Sequence, residues 1–282
     1  MEVIVAKNAG FCFGVKRAIE EAERLLIDRK KTIYSIGSLI HNEIVINKLK
    51  EKGLIELDDL DEVRKLKNET VIIRTHGIEK EVKDLLIKNG NELIDLTCPF
   101  VSKIHETVDE YSANDYKIIV IGDKNHPEVR GIVSYGKDVY VCLTDEDIKS
   151  LNIPINSKIL VVFQTTINSS NAEKLVDILR KIYYNIKVVN TICNTTRVRQ
   201  EEVLSLAKVL DVMLVIGSSN SSNTMKLYEI AKKNCHRAYL ITDKASLSNI
   251  NINKNEKVGV SAGASTPQYL IEEILTNVRN EF

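Results

Sequence analysis

The chain has 282 residues, of which 44% are hydrophobic, and its 39 lysines and arginines balance 39 aspartates and glutamates. A zero net charge excludes a broad positive field that would hold nucleic acid or an anionic membrane. No signal peptide is apparent, and no stretch reaches the roughly 18 apolar residues of a membrane-spanning helix, so we expect a cytoplasmic protein without nucleic-acid or membrane partners.

Short runs rich in valine and isoleucine alternate with amphipathic helical patterns along the whole chain. This alternation is typical of parallel sheets covered by helices, so the sequence predicts an α/β fold. The predicted strands include, in chain order, 2–6, 71–74, 117–121, 158–163, 187–190, 211–216 and 257–260.

One sequence layout occurs three times, beginning at Cys12, Cys98 and Cys193. In each copy an apolar strand follows at nearly the same spacing and ends in Ile-Gly, at Gly37, Gly122 and Gly217. The first two copies end with a strand that leads to the next cysteine, whereas the third lacks one. We therefore predict that the N-terminal strand completes the third copy. The predicted α/β units are 14–96, 97–191, and 192–282 with 1–13, related by a pseudo-threefold axis around a central site.

The cysteines indicate a metal centre assembled by the fold. Their number is odd and no Cys-x-x-Cys pair occurs, so reduced thiols are expected rather than disulfides or a local zinc ribbon. Cys142 aligns with an isoleucine and is predicted to be a core residue, and Cys235 is given no role. The three cysteines in register could bind zinc with a fourth ligand, or a 4Fe–4S cluster with one iron that lacks protein sulfur. The scattered polar loops suit a substrate pocket, which favours the cluster.

Polar side chains follow the predicted strands where parallel sheets usually bind ligands, and helix N-termini beside them favour anions. Glu128 is one of these polar residues. It is either a surface residue that complements a helix dipole or a proton donor, and its position in the sequence leaves both roles open. His105 and His236 lie outside these loops and are predicted to be a packing residue and a surface residue. The candidate binding residues are His41, His76, His126, Thr165, Thr166, Ser221, Ser222, Asn223 and Ser265.

Taken together, these motifs resemble the 4-hydroxy-3-methylbut-2-enyl diphosphate reductase family over essentially the whole chain. The resemblance lies in Gly10-Phe-Cys12, Ile40-His41-Asn42, Arg74-Thr-His76-Gly, Asp95-Leu-Thr-Cys98-Pro, His126-Pro-Glu128, Gln164-Thr-Thr166, Thr191-Ile-Cys193-Asn, Asn220-Ser-Ser-Asn223 and Ser261-Ala-Gly-Ala-Ser265.

The resemblance implies an iron–sulfur oxidoreductase of isoprenoid biosynthesis. Cys12, Cys98 and Cys193 would bind a 4Fe–4S cluster, and the substrate hydroxyl would approach its open iron. Two electrons from a ferredoxin or flavodoxin, with two protons, would convert the substrate to isopentenyl and dimethylallyl diphosphate. Glu128, Thr165 and His126 would be the catalytic residues. The diphosphate would bind His41, His76, His126, Ser221, Asn223 and Ser265, with Thr165, Thr166 and Ser222 as further substrate contacts.

Two other functions fit the same residues. A non-redox iron–sulfur hydro-lyase would remove the hydroxyl by Lewis acidity alone, and a demand for two electrons per turnover distinguishes it from the reductase. A non-catalytic iron–sulfur sensor would bind the diphosphate without converting it. A Glu128→Gln substitution separates this case, because in the reductase binding should survive while turnover collapses, and unchanged turnover would refute the acid role.

Overall fold

A computed structural model describes residues 1–28 and 32–281, so Phe282, the last residue of the predicted third unit, lies outside the described residues, as do positions 29–31 of the first. The strands are β1 (Glu2–Val5), β2 (Ile33–Ile36), β3 (Leu54–Leu57), β4 (Thr70–Ile73), β5 (Glu92–Asp95), β6 (Lys117–Ile121), β7 (Val139–Cys142), β8 (Ile159–Phe163), β9 (Ile186–Val188), β10 (Val212–Ile216), β11 (Arg237–Ile241) and β12 (Lys257–Ala262).

Helices follow most strands, as parallel pairing requires. They are α1 (Phe13–Asp28), α2 (Glu43–Glu51), α3 (Leu60–Lys65), α4 (Lys80–Lys88), α5 (Pro99–Ala113), α6 (Pro127–Ser134), α7 (Asp145–Lys149), α8 (Ser169–Ile182), α9 (Asn194–Ala207), α10 (Ser222–Asn234) and α11 (Gln268–Glu281), with a 3-10 helix at Lys244–Asn249. Within the described part of the chain, none of these helices combines the length and apolar character needed to cross a bilayer.

The strands form three four-stranded parallel sheets with the same internal order. The orders are β3-β2-β4-β5, β7-β6-β8-β9 and β11-β10-β12-β1. In the last sheet β1 takes the place that β5 and β9 hold in the others, because Val3 pairs with Val258 and Val5 with Val260. The prediction that the N-terminal strand completes the third copy is therefore confirmed.

Alternation along the central strands explains how each sheet is covered on both faces. In β8, Val161 and Phe163 join one buried cluster while Leu160 and Val162 join another. In β10, Leu214 and Ile216 pack with residues of α11, whereas the alternate residues of the strand pack with residues of α9 and α10. Burying each such side chain contributes about 1.5–3 kcal/mol relative to exposure.

The described chain forms two compact units. The first contains Met1–Lys16, Ile40–Asn47 and the chain from Cys193 onward, and it includes the sheet with β1. The second contains Arg17–Leu39 and Lys48–Ile192, and it includes the other two sheets. The finer division into α/β units 14–96, 97–191, and 192–282 with 1–13 stays a prediction.

Candidate active site

In the first compact unit, the loops after β10 and β12 bring several of the predicted binding residues together. Ser265 Oγ lies 3.3 Å from Ser221 Oγ and 3.1 Å from the carbonyl oxygen of His41, within hydrogen-bond distance of both. Asn42 Nδ2 donates to the Ser265 carbonyl oxygen at 2.9 Å. The segment with His41 is thereby held against the loop after β12. The predictions did not give Asn42 a role of its own.

Asn223 is buried at the start of α10, and both polar atoms of its amide lack a hydrogen-bond partner among the described residues. Ser221 serves as the N-cap, since its Oγ accepts from the backbone N–H of Thr224 at 3.3 Å, and Ser222 is the first residue of the helix. A buried polar group without a partner costs about 1–3 kcal/mol. Such an amide is suited to binding a polar ligand.

Close packing of glycines holds these loops together. A Cβ atom at Gly263 would lie 2.0 Å from Thr224 Oγ1, and one at Gly217 would lie 2.7 Å from Thr224 Oγ1. Gly217 also has a φ of +146°, which other residues rarely adopt. The loops after β10 and β12 can therefore approach the N-terminus of α10 only because side chains are absent there.

Gly263→Ala should destabilise the protein by about 1–3 kcal/mol, because the new methyl group displaces the side chain of Thr224. Denaturant unfolding measures the change. A second substitution, Thr224→Ala, should recover part of the loss by removing the hydroxyl that the methyl group meets. An unchanged unfolding midpoint in Gly263→Ala would contradict the packing described above.

Cys12 and Cys193 also lie in the first compact unit, as partly buried free thiols at the starts of helices. The backbone N–H of Cys12 donates to the Ala264 carbonyl at 3.1 Å, and Cys193 Sγ lies 3.0 Å from Thr195 Oγ1. Burial lowers the pKa of the nearby Arg199 guanidinium, and the charges of Cys12 and Cys193 oppose that shift. Two free cysteine side chains beside a buried cation fit a metal centre with cysteine ligands.

In the second compact unit, the Glu128 carboxylate is buried and held by a single residue. Glu128 Oε1 accepts from the backbone N–H of Thr165 at 2.6 Å, and Oε2 accepts from Thr165 Oγ1 at 2.7 Å. Burial raises the pKa of Glu128 to about 6, although the two hydrogen bonds act to lower it. The carboxyl group therefore exchanges a proton near neutral pH, as a general acid requires.

His126 caps the helix that carries Glu128, and His76 contacts the His126 ring. His126 Nδ1 accepts from the backbone N–H of Glu128 at 3.2 Å, so in the neutral ring the proton is on Nε2. The rings of His76 and His126 are 5.5 Å apart and nearly perpendicular. Gln164, which had no assigned role, donates to Thr166 Oγ1 at 3.2 Å. The unit thus brings together His76, His126, Glu128, Thr165 and Thr166.

Cys98, the third cysteine of the register, is a partly buried free thiol that follows β5 and caps α5. Its backbone N–H donates to the Thr75 carbonyl at 3.0 Å, which ties it to the loop after β4. Pro99 occupies the first turn of α5, where a missing N–H costs nothing.

The residues given no functional role in the sequence are either packed in the interior or exposed at the surface. His105 is buried and stacks on Tyr135 with ring centroids 4.3 Å apart, and burial lowers its pKa to about 4. Cys142 is fully buried in the core, which raises the pKa of its thiol to about 12. His236 is exposed. These three predictions are confirmed.

Comparison with known proteins gives matches over the full chain. The family described as LytB protein matches residues 3–279. A 4-hydroxy-3-methylbut-2-enyl diphosphate reductase of Caldanaerobacter subterraneus is 41% identical over 282 residues, which are 99% of this chain and 97% of the relative. The reductase of that name from Campylobacter fetus is 43% identical over 282 residues, with 99% and 98% of the two chains covered.

A solved structure is similar over nearly the whole chain. The E-1-hydroxy-2-methyl-but-2-enyl-4-diphosphate reductase of Plasmodium falciparum superimposes with a TM-score of 0.89 at 31% identity, covering 98% of this chain and 87% of that one. Fold, family match and full-length identity agree with one another. The chain therefore belongs to the LytB family, that of the 4-hydroxy-3-methylbut-2-enyl diphosphate reductases.

Proposed function

We propose that this chain acts in the cytoplasm as a reductive dehydroxylase of 4-hydroxy-3-methylbut-2-enyl diphosphate. The substrate, two electrons and two protons would give isopentenyl or dimethylallyl diphosphate and water. The observation that carries the proposal is the buried Glu128 carboxyl, held by Thr165 with a pKa of about 6. It is a proton donor suited to a hydroxyl that must leave as water.

Cys12, Cys98 and Cys193 would hold a 4Fe–4S cluster. This assignment is supported by their free thiols, their positions at helix starts and the buried Arg199 beside two of them. When bound, such a cluster supplies electrons and one iron without protein sulfur that can act as a Lewis acid. A ferredoxin or flavodoxin would deliver the electrons from outside the protein.

The diphosphate would be bound by imidazoles, hydroxyls and an amide rather than by lysines. In the first compact unit these are His41, Ser221, Ser222, Asn223 and Ser265, with the free amide of Asn223 as the clearest sign of a missing polar partner. In the second they are His76, His126, Thr165 and Thr166. Imidazoles that titrate near neutrality pair well with phosphate oxygens, and hydroxyls donate to them.

The proton would come from Glu128. Its two hydrogen bonds with Thr165 orient the carboxyl group, and His126 accepts from the backbone at the start of the same helix. Donation to the departing hydroxyl leaves a carboxylate, which those two hydrogen bonds stabilise. Thr165 and His126 thus act with Glu128 at the point where the proton is delivered.

Asn223→Leu should separate ligand binding from folding. Because the amide has no partner in the free protein, a leucine of similar size should leave the free energy of unfolding unchanged or increase it. The same change should raise the KM for the diphosphate substrate roughly 10-fold or more, the discrimination expected when a ligand loses about 1.4 kcal/mol of binding. A large loss of stability with an unchanged KM would show that Asn223 is structural.

Anaerobic purification followed by iron, sulfide and zinc analysis tests the proposed centre. About four irons and four sulfides per chain are expected. Stoichiometric zinc without sulfide would refute the cluster. Counting electrons consumed per product then separates the remaining functions, since the reductase needs two, whereas a hydro-lyase needs none and a sensor forms no product.

A further inference from the structure

Two arginine side chains, those of Arg17 and Arg199, donate hydrogen bonds to backbone carbonyls close to the predicted cysteine ligands. Arg199 lies in α9, and its terminal nitrogens donate to two carbonyls. One is Thr195 O at 3.0 Å and the other is Gly10 O at 2.7 Å. Thr195 follows Cys193 closely, and Gly10 precedes Cys12. Thr195 lies in the first turn of α9, for which Cys193 is the N-cap residue. A single guanidinium therefore ties the loop before Cys12 to the start of the helix that follows Cys193.

A neighbouring residue of α9 holds the same loop. The carboxylate of Glu202 accepts from the backbone N–H groups of Lys7 and Asn8, at 2.5 and 3.1 Å. The backbone N–H of Cys12 is in turn bonded to Ala264. The chain from Lys7 to Cys12 is thus held by side chains of α9 and by the loop after β12, so its position is set before any metal binds.

Arg17 makes an equivalent arrangement in the second compact unit. Its Nη2 atom donates to the carbonyl oxygens of Leu96 and Thr97, at 3.1 and 2.8 Å, and these residues directly precede Cys98. The Nε atoms of Arg17 and Arg199 are both buried and have no hydrogen-bond partner among the described residues. Each arginine follows one cysteine in the chain and binds the loop before the next cysteine in the threefold layout.

Because the Arg199 guanidinium is buried, its positive charge interacts with the groups around it more strongly than it would in water. Its side chain is only 5% exposed, and within the first compact unit Cys12 and Cys193 both contribute to its electrostatic environment. A buried cation is costly unless anions lie nearby. Thiolates bound to an iron–sulfur cluster would provide that negative charge, and a fixed positive charge beside a cluster favours its reduced state.

We propose that Arg199 and Arg17 are positioning residues that hold the cysteine loops for the iron–sulfur cluster, and that Arg199 also raises the cluster's reduction potential. The proposal rests on the proposed function, because it requires the cluster to be bound. Its test therefore begins with wild-type protein, in which iron and sulfide are measured first. If the wild type binds no cluster, the proposed function fails before any variant is compared.

The test compares Arg199→Gln with Arg197→Gln, both purified anaerobically. Arg197 is the matched control, an arginine of the same helix whose exposed side chain bonds Glu201 and Asn194. In Arg199→Gln the reduction equilibrium should shift at least tenfold toward the oxidised cluster, which is about 59 mV for a one-electron couple. Iron release to a chelator should accelerate at least tenfold. Potential and release rate equal to those of Arg197→Gln would overturn the proposal for Arg199.

Arg199→Lys separates charge from geometry. Its ammonium keeps the positive charge but has no planar fork to bind two carbonyls, so the potential should stay near that of the wild type while iron release accelerates. If Arg199→Gln does not fold, this variant decides, since wild-type iron release in it would overturn the positioning role. Arg17→Gln should also release iron faster than its control Arg24→Gln, a substitution on the same helix that removes an exposed ion pair with Glu21. Equal release from these two would overturn the role of Arg17.

Discussion

Glu128→Gln should lower kcat by roughly 10²- to 10⁴-fold while changing substrate affinity by only a few-fold. The amide keeps the size and much of the hydrogen bonding of the carboxyl group beside Thr165, but it cannot donate a proton to the departing hydroxyl. Steady-state kinetics with a reduced electron donor gives kcat, and ligand titration of the anaerobic protein gives affinity. Unchanged turnover would refute the acid role and favour a function without proton delivery.

The pH dependence of the wild type should report the same group. Because burial raises the pKa of Glu128 to about 6, the protonated form persists toward neutral pH and is lost as pH rises through that value. We expect kcat to decline on the alkaline side with an apparent pKa at or above about 6, and this limb should vanish in Glu128→Gln. Glu81→Gln is the control, because Glu81 is an exposed acid in the first turn of α4. It should reproduce the wild-type profile.

Cys98→Ala should abolish the cluster and with it the activity. Removing a residue that only supports a metal ligand lowers metal affinity or activity about 10- to 100-fold. Removing a ligand itself should therefore lower activity at least ~100-fold. Iron and sulfide analysis of the anaerobic protein gives cluster content, and turnover is measured on the same sample. A variant that keeps full iron, sulfide and activity would remove Cys98 from the ligand set.

Cys142→Ala provides the matched control for this experiment. Cys142 is equally free but lies in the apolar core, where burial raises the pKa of its thiol to about 12 and keeps it protonated. The substitution should cost about 1 kcal/mol of stability through lost packing and leave the iron content unchanged. Loss of iron in both variants would indicate a general failure of folding rather than the removal of a ligand.

Most of the sheet topology could be predicted from repetition in the sequence. The register of Cys12, Cys98 and Cys193 relative to the following strands predicted three equivalent sheets, and the missing strand of the third copy predicted where β1 belongs. Those inferences succeeded because apolar β-strands have a strong local signal and parallel pairing leaves few alternatives. The short edge strand Leu54–Leu57 was not among the predicted strands, since its apolar residues are too few to stand out.

The chemical state of individual side chains could not be read from the sequence in the same way. Glu128 was equally consistent with a surface residue of a helix's first turn, and only its burial against Thr165 distinguishes it as an acid. Asn223 was indistinguishable from a helix cap, whereas the structure assigns capping to Ser221 and leaves the asparagine amide buried without a partner. Burial depends on which distant segments pack over a residue, and the local sequence pattern does not determine that packing.

The sequence by itself determined the α/β class, the three equivalent sheets and the set of polar residues at strand ends, because these follow from hydrophobic periodicity and from spacing along the chain. Only the tertiary structure decided which of those residues are buried, which share hydrogen bonds, and that Arg199 and Arg17 hold the cysteine loops. Arg199 and Gly10 are 189 positions apart. Contacts of that separation exist only once the sheets have formed, so the electrostatic environment of Cys12 and Cys193 is a property of the fold.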